Sequence, residues 1–297
     1  MIEVIFIGLS LGSILLLVAL GLAITYGAMG VINMAHGEMV MAGAYVTVAT
    51  GIYLDLNIFF AIPLAFIATA VLGLLIERLV VRRLYHRLLD TLLATWGIAI
   101  LMQQAVRLEF GLTFFGIHVE GLGAGLQRVD VPEVLGGTYD LLGAEINTYR
   151  SFIILVTLVL AALTWWLMYR TPIGTQVRAI IRNPQMAAAC GIDVKRVNAL
   201  TFAYGSGLAG VAGVMMSGFK TVFPDMGSSM VVDGFLVVVV GGVGSLFGAF
   251  AAAGMLGELN GIVASIYNDI LARAVVFGVV IGIIVWRPQG LFSFKGR

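Results

Sequence analysis

The sequence predicts an all-α, polytopic membrane protein of about eight membrane helices, with a re-entrant or broken helix near residues 231–265. Three observations predict this. Of the 297 residues, 60% are hydrophobic and 11% charged, with a mean hydropathy of +1.04, against roughly 45–50% and ~25% in soluble domains. Stretches free of Asp, Glu, Lys and Arg fill most of the chain, and a helix of about 20 apolar residues crosses a hydrocarbon core of roughly 30 Å. Strands with open edges would leave backbone groups unpaired in lipid, and the ~10-residue alternation of a membrane barrel is missing.

Taken in order, the apolar stretches are Val4 to Gly37, Met39 to Leu54, Leu56 to Ile76, Thr91 to Val106, Ser151 to Tyr169, Val197 to Phe219 and Gly234 to Gly257. The last, around Ile270 to Trp286, is interrupted by Arg273. The first has no positive leader at Met1-Ile2-Glu3 and is expected to be retained as a span. Lys and Arg concentrate in three places: Arg78 to Arg87, Arg170 to Arg196, and the tail with Arg287, Lys295 and Arg297. The positive-inside rule makes these cytoplasmic. The stretch 109–150 is Gly-rich and acidic, with Glu109, Glu120, Asp130, Glu133, Asp140 and Glu145, and is expected outside. Residues 1–297 read as one transmembrane domain.

This orientation requires an even number of crossings between Val197–Phe219 and the last helix. Met226 to Tyr267 looks short for two full spans, and Gly241-Gly242-Val243-Gly244 interrupts it, so a hairpin with its tip at membrane depth satisfies the count. A second interruption, Gly27-Ala28-Met29-Gly30 with Asn33, His36 and Glu38, lies near the start. Two broken helices in opposite halves suggest an inverted repeat, without an internal sequence match. Small residues recur three or four apart at Ala203, Gly207 and Gly210, a stripe for close helix contact inside the chain or at a seam with a second subunit. Trp165 and Trp166 read as interfacial anchors.

The loop 170–196 is too charged for lipid. In it Asn183 suits an N-cap, Pro184 the first helical position and Gly191 the C′ position, defining a helix of about two turns. Before it Val177, Ile180 and Ile181 alternate with Arg178 and Arg182 at helical spacing. Such an element docks either on lipid headgroups or in a protein groove.

Net charge +1 offers no field for nucleic acid, and the single Cys190 offers no disulfide or zinc site. No G-x-x-x-x-G-K-[ST] loop, G-x-S-x-G elbow or H-E-x-x-H pair occurs. The chain is therefore not expected to be an enzyme or to bind ATP. His86, among Arg82, Arg83 and Arg87, and His118, in the external loop, are ordinary exposed residues. His36 differs, because with Asn33 and Glu38 it forms a polar cluster in an apolar region. Ionisable groups at membrane depth face a cavity or a partner. They either cap the broken helix and pair with one another or line a solute path.

Gly30-Val-Ile-Asn-Met-Ala-His-Gly-Glu38, Met186-Ala-Ala-Ala-Cys-Gly-Ile192 and Val240-Gly-Gly-Val-Gly-Ser245 resemble the branched-chain amino acid and urea family of ATP-binding-cassette permeases over nearly the whole chain. Leu92 to Gly97 with Gln103-Gln104, Thr171 to Ala179, Val232 to Phe235 and the ending Arg287-Pro-Gln-Gly-Leu-Phe292 are most similar to the urea branch. The resemblance implies an inner-membrane importer permease with a second related permease subunit, two cytoplasmic ATPase subunits carrying ATP and Mg, and an extracytoplasmic solute-binding protein. Residues 170–196 would be the coupling loop, with Arg178, Arg182, Asn183, Met186 and Gly191 docking on an ATPase. Met186 stands where the wider importer signature has Glu.

For urea, a neutral planar donor-rich solute, Asn33, Thr95, Gln103 and Gln104 would supply amide and hydroxyl partners. Gln103 and Gln104 lie about 100° apart on a helix, so only one can point into a path. His36, Glu38, Asp233 and Glu258 complete the candidate pathway, the last two flanking the broken helix, where capping is the plainer role. A branched-chain amino acid or a short amide is the alternative cargo, and a channel independent of ATPase is a more distant one.

Overall fold

The structure is a computed structural model describing residues 2–85, 87–107, 125–141 and 143–292. His86, His118, Glu109, Glu120, Lys295 and Arg297 lie outside the described residues. In chain order the helices are α1 (Ile2–Met29), α2 (His36–Leu54), α3 (Ile58–Leu79), α4 (Leu88–Arg107), α5 (Glu133–Gly136), α6 (Thr148–Arg170), α7 (Pro172–Arg182), α8 (Pro184–Ala189), α9 (Val194–Ser217), α10 (Met226–Gly241), α11 (Leu246–Ile266) and α12 (Asp269–Trp286). A small antiparallel hairpin, β1 (Thr138–Leu141) with β2 (Ala144–Asn147), precedes α6.

Seven of the described helices are long and apolar enough to cross a membrane: α1, α3, α4, α6, α9, α11 and α12. The nearly all-α polytopic fold is as expected. α9 is its axis. In its apolar window 89% of residues are buried, against 17% in α4 and in α12, which makes α9 the core and places those two helices on the outside of the bundle. Leu101 of α4 and Ile281 of α12 show the corresponding exposed apolar surface.

Close backbone approach builds the centre. Gly207 meets Phe66 of α3, Gly210 meets Thr69 of α3, and Gly213 meets Val40 of α2. The small-residue stripe on α9 is therefore spent within the chain. Gly8 and Gly12 of α1 likewise receive Ala253, Gly257 and Gly261 of α11.

The contacts also order the ends. Arg82 and Asp193 interact electrostatically, so the two basic loops read as cytoplasmic share one end of the molecule. At that end Glu77, fully buried, holds Arg82 through Nε at 3.2 Å and Nη2 at 3.1 Å and accepts from the Tyr85 hydroxyl. Burial first, and then Glu77, push the Tyr85 hydroxyl above its ordinary range and keep it a donor. At the opposite end Arg150 of α6 donates to Ser10 of α1 at 2.9 Å, and Gln127 pairs with Val222.

The broken helix near 231–265 is the α10–α11 pair, interrupted at Gly242 to Ser245. Its tip differs in depth from the sequence expectation. Gly244 lies beside Gly27 and Ile181, and Gly290 packs on Gly242, so the tip reaches the end of the molecule where α1, α7 and α12 finish. α11, at 21 residues, is a full span, while α10 manages with 16 because it starts below the outer end. The re-entry opposite the α1–α2 interruption is the α9–α10 connection. Gly37 and Gly227 each stand where the other's Cβ would be, and Gly21 of α1 and Gly205 of α9 do the same.

Candidate functional site

The site is built on the interruption between α1 and α2. Gly30 adopts φ +62 and its amide closes α1 on the Tyr26 carbonyl at 2.8 Å. The chain then turns back without regular structure, and α2 begins at His36, whose Nε2 lies 3.2 Å from the Val18 carbonyl, about midway along α1. Irregular backbone at membrane depth is tolerated where protein buries it or where it lines a cavity. Thr95 of α4, fully buried, braces this linker: its Oγ1 accepts from the Met34 amide at 3.0 Å, with its hydrogen in reach of the Thr91 and Ile32 carbonyls.

Asn33 is 1% exposed, and both its side-chain oxygen and nitrogen lack a partner. His36 is fully buried. The Val18 carbonyl can only accept, so Nε2 carries the hydrogen and Nδ1 is left as an unpartnered acceptor. Glu38, 1% exposed, accepts from Gln103 Nε2 at 2.8 Å through Oε1, and its Oε2 has no partner. Gln103 also donates to Ser228 of α10 at 2.9 Å. Three residues between positions 33 and 38 thus hold four unmade hydrogen bonds in the interior, where each costs about 1–3 kcal/mol.

The capping alternative for this cluster does not match the geometry. Ala35 is the N-cap of α2 and makes no side-chain bond, and His36 and Glu38 bond to other elements instead of to each other. Gln103 points inward and Gln104 is exposed, as their helical spacing requires. The Arg107–Asp225 ion pair at 2.6 Å joins the end of α4 to the start of α10 just beyond Gln103 and Ser228.

Asp233 and Glu258 lie elsewhere. Asp233 faces Arg273 of α12 at 3.8 Å, beside Lys220, whose ammonium is pushed down by burial and then by Arg273, with Asp233 and Asp269 opposing. Glu258 stands against Gly8, ten residues along α1 from Val18 or about 15 Å. Ser228 and Arg107 escaped the sequence reading, since Ser228 is one of many small residues and only the meeting of α4 with α10 gives it a role. The Val18 carbonyl carries no side-chain signal at all.

At the end of the molecule that carries the two basic loops, α7 buries Val177 and Ile180 and leaves Arg182 exposed. Asn183 caps α8, accepting from the Gln185 and Met186 amides at 3.0 Å each, Pro184 opens it, and Gly191 at φ +86 ends it. Met186 is 62% exposed, an apolar side chain offered outward from a rigidly capped turn. Arg178 is partly engaged, its guanidinium 5.1 Å from the centre of the Tyr169 ring.

Residues 4–285 match the family described as "Branched-chain amino acid transport system / permease component". The chain belongs to that family and is a multi-pass membrane protein of the permease class. It is 30% identical to the high-affinity branched-chain amino acid transport system permease protein BraD of Pseudomonas aeruginosa, over 96% of this chain and 94% of that protein. It is 29% identical to LivH of Escherichia coli K12, over 97% and 94%, and 27% identical to a probable LivH of Methanocaldococcus jannaschii, over 92% and 84%. No solved structure matches. The family expectation is met, and these relatives are named as amino acid permeases rather than urea permeases.

Proposed function

We propose that the chain is the translocating subunit of an ATP-driven importer for branched-chain amino acids, with the polar linker between α1 and α2 on the solute path. The observation that carries this is Asn33: a buried amide with donor and acceptor both unused, on irregular backbone at membrane depth. His36, Glu38, Gln103 and Ser228 continue the polar line, and Thr95 holds the linker in place. The likeness to BraD and LivH over nearly their full length supports the cargo.

By the same reading a second permease subunit lies alongside, an extracytoplasmic protein delivers solute, and two cytoplasmic subunits carry ATP and Mg. The exposed Met186, with Arg182 beside it, meets one of those ATPases, α8 acting as the lever. Urea or a short amide is the second reading, favoured by one feature: among the described residues the cluster carries no free cation to receive an amino acid's carboxylate, Arg107 being paired with Asp225.

The test is uptake into proteoliposomes holding the whole complex, with leucine and urea supplied in turn by the cognate binding protein. ATP-dependent leucine uptake supports the first cargo and urea uptake the second. Flux in vesicles holding this chain alone would point to a channel. Replacing Arg182 and Met186 with Ala should uncouple ATP hydrolysis from uptake; undiminished coupling rejects the docking role.

A further inference from the structure

A cavity of about 490 Å³ opens at the cytoplasmic end between the close of α3 and the start of α9, within the roughly 300–1,000 Å³ of small-ligand sites. Arg78, Arg82, Lys195 and Arg196 line it, with Asp193 as the one acid. The charges are unevenly committed. Arg82 is bound to Glu77, and the Asp193 carboxylate caps α9 by accepting from the Arg196 amide at 3.1 Å. Among the described residues, the side chains of Arg78, Lys195 and Arg196 have no ion-pair partner.

The remaining wall is apolar and continues onto the lipid-facing surface: Leu74 and Leu200 line the cavity, Leu200 is 46% exposed, and Leu75 and Leu79 are exposed next to it on α3. Three free cations above an apolar wall, at the end of the membrane-length helix α3, match one ligand shape. We propose that this cavity binds the phosphodiester headgroup of an anionic phospholipid, with the acyl chains against Leu74 and Leu200. Basic pockets between membrane helices on the cytoplasmic side recognise such headgroups. A soluble phosphate would use the cations and leave the apolar wall idle, and an acidic protein surface would not enter a recess of this size. Occupancy would tie α3 to α9, the core helix whose start follows directly from the coupling loop.

The experiment is native mass spectrometry of the full-length chain in detergent, titrated with phosphatidylglycerol and with phosphatidylcholine of the same acyl chains. The wild type should retain phosphatidylglycerol preferentially. The double variant Arg78→Gln with Arg196→Gln should bind it about twenty-five-fold more weakly, at roughly fivefold for each cation removed near a membrane surface. The lysine version, Arg78→Lys with Arg196→Lys, should restore most of the binding and shows that the fold survives the changes. Arg128→Gln, on the outer side, should leave it unchanged. Equal retention of the two lipids, or no loss in the glutamine variant, overturns the site. Displacement of the lipid by millimolar inorganic phosphate assigns it to a free anion. Cross-linking from position 78 to an ATPase subunit in the assembled complex, with no lipid adduct, assigns it to protein.

Discussion

The chain breaks its helices twice, and the two breaks have opposite chemistry. Residues 242–245 turn at the end of the molecule where α1, α7 and α12 finish, and their one polar side chain, Ser245, is partnered. Gly242 and Gly244 take φ +94 and +79, Ser245 Oγ accepts from the Gly248 amide at 3.0 Å, and the Leu291 amide, arriving from beyond α12, donates to the Val240 carbonyl at 2.8 Å. Phe247 and Phe292 close it edge to face, 5.3 Å apart. Residues 30–35 instead run through the interior, and Asn33 within them and His36 and Glu38 just after them keep polar atoms unmatched. A glycine-rich break that satisfies itself is a hinge or a fold element. One that leaves donors and acceptors open among buried helices is where the proposed solute path runs.

The largest expected effect is at the satisfied break. Gly241 and Gly248 lie so close that a side chain on either meets the other's backbone. Gly241→Leu should cost about 3 kcal/mol, reducing the folded-to-unfolded ratio by on the order of a hundredfold. Membrane abundance and a thermal melt read this, and uptake per folded molecule should be unchanged. Normal abundance would show that the tip is loose and that the contrast between the breaks is wrong.

The second expected effect is the reverse. Asn33→Leu removes two unpaired polar atoms and keeps the volume, so the melting temperature should hold or rise, each orphan group being worth about 1–3 kcal/mol. Uptake should nevertheless fall more than tenfold. A stabilised protein with full uptake would make Asn33 a buried residue of no consequence to solute.

Much of this was legible before any coordinates. Asn183, Pro184 and Gly191 delimit α8 because capping is local chemistry, decided within three or four residues. The polar cluster at Asn33, His36 and Glu38 stands out because apolar surroundings make any polar residue conspicuous. The partners were not legible. Glu38 meets Gln103 and Ser228 only once α2, α4 and α10 converge, at separations of 65 and 190 residues. The depth of the 242–245 tip was misjudged for a related reason: counting residues between loops assumes that each helix starts at a membrane surface, whereas α2 and α10 both start inside. Asp233 and Glu258 were grouped by nearness to that break in sequence, but they point to Arg273 and Gly8.

The smallest effect discriminates most finely between solute path and packing, because it compares neighbours on one helix. Gln103→Leu leaves the Glu38 carboxyl without its shortest donor, a bond worth on the order of 1 kcal/mol or more, while Gln104→Leu alters only an exposed position. Uptake should drop several-fold in the first variant and stay within error in the second, with melting curves reported for both. If Gln103 serves only to hold α4 against α2 and α10, the melting temperature falls and uptake per folded molecule is preserved. If it presents Glu38 to the solute, uptake falls further than stability does. Equal effects at positions 103 and 104 would mean that α4 acts through its outer surface, against lipid or a neighbouring subunit, and the polar line from Asn33 to Ser228 would lose its outer half.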